Sequence, residues 1–301
     1  MTTPLVLLGC GYIGTAIALE AMRRSRPVHA LVRSPEKAAA LRAMGLTSAV
    51  AADVAGDDWH GALPAAGVEV VYSVSSGGGD DAAYRRAYAG GMASALHWAA
   101  QGGGVKTFVY TSSTGVYPQS GGVTVDESSP VGGDARSDIL VETEKLLLDA
   151  AGRPGSGVER AFVLRLGGLY GPGRHYLLDA LRRGETRLPG RGDFRINYLH
   201  RDDAVSGVFD ALDAPGARAG GVYNLTDGHP ATKAAIVAWL AQRLGVPAPE
   251  FAPDVVSARA ARRGSGSPDR VVSNAAFVRD FGWMPAYPDF RDGYAAILAG
   301  E

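Results

Sequence analysis

The sequence predicts an α/β protein, a doubly wound parallel sheet followed by a smaller C-terminal lobe. Three observations carry this. The apolar run Leu5-Val6-Leu7-Leu8 breaks into Gly9-Cys10-Gly11-Tyr12-Ile13-Gly14 and continues into a helix-like stretch with Ile17, Ala18, Ala21 and Met22. Short β-rich runs then alternate with helical patterns through the first half of the chain, as parallel sheets require. Finally, 301 residues of which 46% are hydrophobic suffice for a sizeable core, in one large or two intimate domains.

Each element follows from local chemistry. In the first turn, Gly9 permits the tight bend, Gly11 lets the backbone approach a pyrophosphate, and Gly14 lets the helix sit close on the strand. The N–H groups of the helix start, with Tyr12 and Ile13, then face the phosphates. Pro27 to Val32 reads as a second buried strand ending at Arg33-Ser34. In a dinucleotide fold, an acid there would hold the 2′-hydroxyl of NAD and a basic residue the 2′-phosphate of NADP. Arg33, with Ser34 as a second donor, therefore reads as NADP preference, NAD being the lesser expectation. A solvated arginine at a helix start is the alternative. Thr47 to Val54 is a third strand, with Asp53 suited to accept from the adenine amino group and Val54 beside the ring; a loop or cap role for Asp53 is the alternative. Val68 to Val74 is the fourth, followed by Ser75, Ser76 and Gly77 to Gly79 as a glycine-rich edge of the cofactor groove. A long helix from about Asp81 to Gln101 stops at three glycines, and Val105 to Tyr110 forms the fifth strand. Because ligands in such sheets bind at the carboxyl ends of the strands, Thr111 to Pro118 is the first place to look for chemistry.

The composition narrows the function. A formal net charge of −1 offers no broad attraction to nucleic acid or anionic lipid. No apolar run approaches a membrane span, and the first strand begins too early for a secretory signal, so a cytoplasmic protein is expected. With Cys10 as the single cysteine, neither an intrachain disulfide nor a cysteine-built zinc site is expected, and no metal is assigned.

Several motifs then point the same way. Besides Gly9-x-Gly11-x-x-Gly14, they are Thr111-Ser112-Ser113 through Val116-Tyr117, Leu164-Arg165-Leu166 leading into Tyr170-Gly171-Pro172-Gly173-Arg174, Ile196 to Ala204, Val222-Tyr223-Asn224-Leu225, and Phe281-Gly282-Trp283-x-Pro285. Together they resemble an extended or atypical short-chain dehydrogenase/reductase of the NAD-dependent epimerase/dehydratase type. The resemblance implies a Rossmann-type domain over 1–170, with 194–215 returning to it, and a mainly substrate-binding lobe over 171–301. It implies a small-molecule substrate. Related proteins often pair through the helices flanking the sheet, so a homodimer is an expectation to test.

In that family a Tyr-x-x-x-Lys pair follows the serine strand, and the tyrosine exchanges a proton with substrate as hydride moves. By the resemblance, Ser113 takes the serine's place and Lys145 the lysine's, within reach of the nicotinamide ribose. Four residues before Lys145 stands Val141, and no Tyr-x-x-x-Lys occurs anywhere. Tyr117, at the strand end, and His175, a residue type suited to acid/base work, are the candidate replacement acids; packing and helix-start roles are their alternatives. Arg182, Arg183, Arg187, Arg191 and Arg195 make the second half locally basic, suited to an anionic substrate or simply solvated. Ser257 to Pro268 reads as a mobile loop, with Arg262 and Arg263 as anion contacts. The leading expectation is an NADP-dependent oxidoreductase acting on a carbonyl or polarised double bond with a non-standard proton donor. The alternatives are a non-redox epimerase, dehydratase or cyclase, or a protein that senses NADP.

Overall fold

The structure is a computed structural model, and it describes residues 2–255 and 268–300. The loop expected at 257–268, with Arg262 and Arg263, lies outside the described residues apart from Pro268. The chain divides into two compact units over its described residues. The first holds Met1–Val116, Val131–Arg165 and Ala204–Tyr223, and the second Tyr117–Pro130, Leu166–Asp203 and Asn224–Glu301.

The first unit is built on a sheet. Its strands are β1 (Leu5–Leu8), β2 (Val28–Val32), β3 (Ser48–Ala51), β4 (Val68–Tyr72) and β5 (Val105–Ser113). The short β6 (Val123–Val125) belongs to the second unit, and β7 (Val158–Leu166) and, after four short strands, β12 (Gly221–Leu225) complete the sheet. The order is β12-β7-β5-β4-β1-β2-β3, a seven-stranded sheet in which β3, β2, β1, β4 and β5 pair in parallel. β1 and β4 are buried at every position, which is why they read as unbroken apolar runs rather than alternating ones. Val6, Val70, Tyr72, Phe108, Trp59 and Trp98 share one core on a sheet face.

Helices of this unit begin and end on identifiable residues. α1 (Tyr12–Arg23) starts behind Gly11. α2 (Pro35–Ala43) has Ser34 as its N-cap, accepting from the Lys37 N–H, and Pro35 at its first position. The long helix expected after the glycine edge is interrupted. α3 (Asp81–Arg85) passes through a π-turn over Arg86–Gly90 into α4 (Gly91–Gly102). The Tyr72 hydroxyl donates to Ala87 O at 2.5 Å, and a Cβ on Gly91 would lie 2.2 Å from that hydroxyl oxygen. The wider turn exposes a carbonyl to a tyrosine that packs where an ordinary helix would crowd it. α5 (Ala135–Ala150) opens on an Asp134–Ser137 capping box.

The second unit is made of short pieces. β6 pairs in parallel with β15 (Arg270–Val272), β8 (Gly168–Tyr170) with β11 (Tyr198–His200), and β9 (Arg187–Pro189) with β14 (Glu250–Ala252), while β10 (Arg195–Ile196) meets β13 (Ala231–Thr232) antiparallel. Around them pack α6 (Tyr176–Arg182), α8 (Lys233–Leu244) and the helix Phe290–Ala299. Tyr170 stacks obliquely on Tyr198 and Tyr294, with ring centroids 4.6 and 5.0 Å away. α7 (Arg201–Leu212) starts in this unit and continues in the first from Ala204. The structure thus returns 204–223 to the sheet unit, rather than 194–215, and moves Tyr117–Pro130 out of it.

Candidate functional site

The first turn is constrained where the protein needs it and open where a ligand would. Gly9 has φ +90°, and a Cβ there would lie 2.8 Å from Val74 Cα. On Gly14 a Cβ would lie 2.4 Å from Gly9 O and 2.8 Å from Ser73 Oγ, which itself donates to Gly9 O. Gly11 is different: no protein atom lies within 4 Å of a Cβ placed on it. Its lack of a side chain therefore serves nothing inside the fold and leaves the backbone accessible. The α1 N-terminus behind it carries no side-chain cap and no acidic residue in its first turn, which includes Tyr12 and Ile13. An uncapped positive helix end beside an open glycine fits the pyrophosphate of a dinucleotide.

Around this turn the expected cofactor residues fall into place unequally. Arg33 follows β2, is exposed, and donates to Ser76 O at 3.1 Å. It thereby ties the end of β2 to the Ser75–Gly79 edge, where Ser75 Oγ accepts from Gly77 N and Val74 is half-buried. Ser34 is occupied as the α2 cap. Lys37, which sequence reasoning passed over, donates from Nζ to Thr15 Oγ1 at 3.3 Å and so places a second cation against α1. The visible signal was its position one turn into α2, on the same side as Ser34. Asp53 accepts from Ala55 N and pairs with Arg86 at 2.8 Å; the amide bond, then Arg86, hold its carboxyl below the usual range. Val54 is buried. Cys10 is buried too, and burial pushes its thiol pKa up, which keeps it inert.

The catalytic candidates are spread over both units. Ser113 is the last residue of β5, and its Oγ accepts from Gly115 N at 3.0 Å, so its own proton remains to be donated to another acceptor. Ser112, just before it, is buried and donates to Glu144 Oε1 at 2.6 Å. Glu144 in turn receives Arg165, with Nη2 to Oε2 at 2.6 Å and Nε to Oε1 at 3.1 Å. This trio, which sequence reasoning missed, fastens α5 to β5 and β7 next to Ser113. Its signal was Glu144 falling in register with apolar Leu140 and Leu147 on one helix face.

Lys145 lies off that face. Its side chain is 73% exposed and its Nζ pairs with Asp149 at 2.7 Å one turn on. That placement gives the ribose role expected of it no support. The basic side chain of α5 that does approach the glycine edge is Arg136, which donates to Gly79 O and Asp81 Oδ1, both at 2.9 Å.

In the second unit, Tyr117 is buried and its hydroxyl donates to Asn224 Oδ1 at 2.8 Å. His175 precedes α6 as its N-cap residue and places Nδ1 2.8 Å from Asp179 Oδ1. The arginine cluster is largely neutralised by near neighbours: Arg183 by Glu185, Arg187 by Asp254, Arg191 by Asp193 and Arg195 by Asp269. Each of these four arginines thus has an acidic partner. Asp227 is buried, with Oδ1 accepting from His229 N and Oδ2 lacking a hydrogen-bond partner; burial pushes its carboxyl up to about 7.

Residues 5–226 match the model of the NAD dependent epimerase/dehydratase family. The chain belongs to that family. Among curated proteins, it is 30% identical over 203 residues to a 3-diazoavenalumate denitrifying reductase of a Streptomyces species, covering 65% of this chain and 66% of that one. It is 30% identical over 187 residues to Protein YeeZ of Escherichia coli K12, covering 62% and 60%. The chain thus spans slightly less than two thirds of the length of these relatives. The solved structure of MoeE5 in complex with UDP-glucuronic acid and NAD superposes over 98% of both chains with a TM-score of 0.83 at 21% identity, a likeness of fold. No helix among the described residues is long and apolar enough to cross a membrane.

Proposed function

We propose that the protein is an NADP(H)-dependent reductase of a small organic molecule, transferring hydride to a carbonyl or polarised double bond. The observation that carries the cofactor preference is the end of β2, where Arg33 stands in place of a carboxylate and Lys37 adds a second cation against α1. A 2′-phosphate would be held by Arg33 as a fork of donors and by Lys37 as a point charge. The reductase named among the relatives supports redox chemistry over epimerisation.

When bound, the nicotinamide supplies the hydride. The chain's residues would do the rest. The backbone at Gly11 and the α1 N-terminus hold the pyrophosphate, and Arg136 fixes the glycine edge. Ser113 donates to the substrate oxygen as charge builds on it. His175, beside Asp179, is the proposed acid/base, and Tyr117 is assigned a packing role through Asn224.

The test is a titration of NADPH and NADH side by side on wild type and Arg33→Asp. The variant should lose far more NADPH than NADH affinity; equal losses overturn the NADP reading. Turnover of a substrate panel at constant NADPH absorbance would replace the reductase with an epimerase or dehydratase. Cofactor binding without any turnover would leave a sensor.

A further inference from the structure

We propose that Asp57, His60 and His97 form a binding site for a divalent transition-metal ion, zinc being the ion the donor set fits best. One ligand atom from each residue lies within 4.8 Å of the other two. His60 Nε2 already stands 3.9 Å from Asp57 Oδ1. Tetrahedral zinc, with bonds of about 2.0–2.2 Å, needs its donors about 3.3–3.5 Å apart. The contraction required is small, and it falls mainly on Asp57, whose side chain is 73% exposed and free to change rotamer.

The imidazoles are held in place by packing. His60 directly follows Trp59, and His97 directly precedes Trp98 on α4. Both tryptophans are buried, their ring centroids are 5.5 Å apart, and their indole N–H groups donate to Val54 O and Leu63 O. Trp59 meets the His60 ring edge-on at 4.5 Å, and the His60 and His97 rings lie 5.7 Å apart. Two anchored indoles thus hold two imidazoles as neighbours, which is the preorganisation a metal site needs. Ser94 Oγ lies 2.9 Å from His60 Nε2 and the Gln101 amide 2.8 Å from His97 Nε2, contacts that a metal at those nitrogens would replace.

The chemistry of the donors selects the ion. Two nitrogens and one carboxylate oxygen suit zinc and its first-row neighbours, whereas calcium and magnesium prefer oxygen throughout. Three protein donors leave a fourth position for water, and His60 also lines a neighbouring cleft with Leu63, Trp98 and Gln101. None of the three donors is a residue assigned above to the cofactor or to catalysis.

The experiment is equilibrium dialysis of the untagged full-length protein against zinc chloride, with bound zinc measured by atomic absorption. Wild type should bind one equivalent saturably. His97→Ala, a change at an exposed helical position, should lose that equivalent with an unchanged circular dichroism spectrum. His175→Ala should retain it. Zinc should also raise the melting temperature of wild type and leave that of His97→Ala unmoved. Absence of saturable zinc in wild type, or the same stoichiometry in His97→Ala, overturns the proposal.

Discussion

Replacing Glu144 with Ala tests the buried bond network behind the β5 end. The Glu144 and Arg165 side chains are 4% and 6% exposed, and they are joined by short bonds, with Ser112 supplying a third donor to the carboxylate. Deleting the acid removes the carboxylate that binds the buried guanidinium and leaves Ser112 without that acceptor. Breaking a buried pair from one side costs about 3–5 kcal/mol, and an orphaned buried hydroxyl adds about 1 kcal/mol. The expected loss is therefore roughly 4–6 kcal/mol, a large part of the stability of an ordinary domain. Replacing both charges, as Glu144→Leu with Arg165→Met, removes the unpaired charge and should recover most of that loss. The assay is urea unfolding followed by tryptophan fluorescence, with Trp59 and Trp98 reporting from the same unit. A single-variant loss below about 1 kcal/mol, the size expected of an exposed pair, would refute the reasoning. So would a double variant as unstable as the sum of its parts.

Gly11→Ala should leave the melting temperature within a degree or two of wild type, since its Cβ meets nothing, while NADPH affinity falls about tenfold or more, about 1.4 kcal/mol. Gly14→Ala should instead destabilise the fold, because its Cβ lands on the Gly9 carbonyl; thermal melts and cofactor titrations separate the two. Asp227 has a folded pKa of about 7 against an ordinary 3.8. The folded state therefore holds a proton that the unfolded chain releases, and stability falls as pH rises from about 4 to about 7. Asp227→Asn should accordingly stabilise the protein at pH 8 by up to about 4 kcal/mol relative to wild type and have little effect near pH 4; an equal shift at both pH values would contradict this. Tyr117→Phe should cost about 1–3 kcal/mol by orphaning Asn224 Oδ1 and leave kcat nearly unchanged, as measured by urea unfolding and initial rates.

The glycine turn and the alternating strands were legible because each depends on a few neighbouring residues. Gly9, Gly11 and Gly14 predict one turn whatever lies downstream, and fully buried β1 and β4 announce themselves by composition. What escaped depends on partners far along the chain. The spacing around Ile139–Leu148 predicts a helix and does not say which side meets the sheet, so Lys145 stood for the site while Glu144, one residue earlier, faced Arg165. The π-turn at Arg86–Gly90 is set by Tyr72, a strand residue that no helical pattern reveals. Arg187 and Arg195 looked like part of a basic surface because their acids, Asp254 and Asp269, lie far ahead in sequence.

The pairing of β6 with β15 bears on how the chain emerges from the ribosome. Val125 is synthesised 147 residues before Val272, its partner in the register. At about 5–20 residues per second, β6 waits roughly 7–30 s for that partner. The sheet unit has most of its strands by then, while a nascent edge of the second unit hangs without hydrogen bonds. Any product that terminates before Arg270 keeps that edge permanently open, and an open edge invites aggregation. Arg270 to Val272 therefore close an edge laid down long before them, far in sequence from the glycine turn at Gly9 to Gly14.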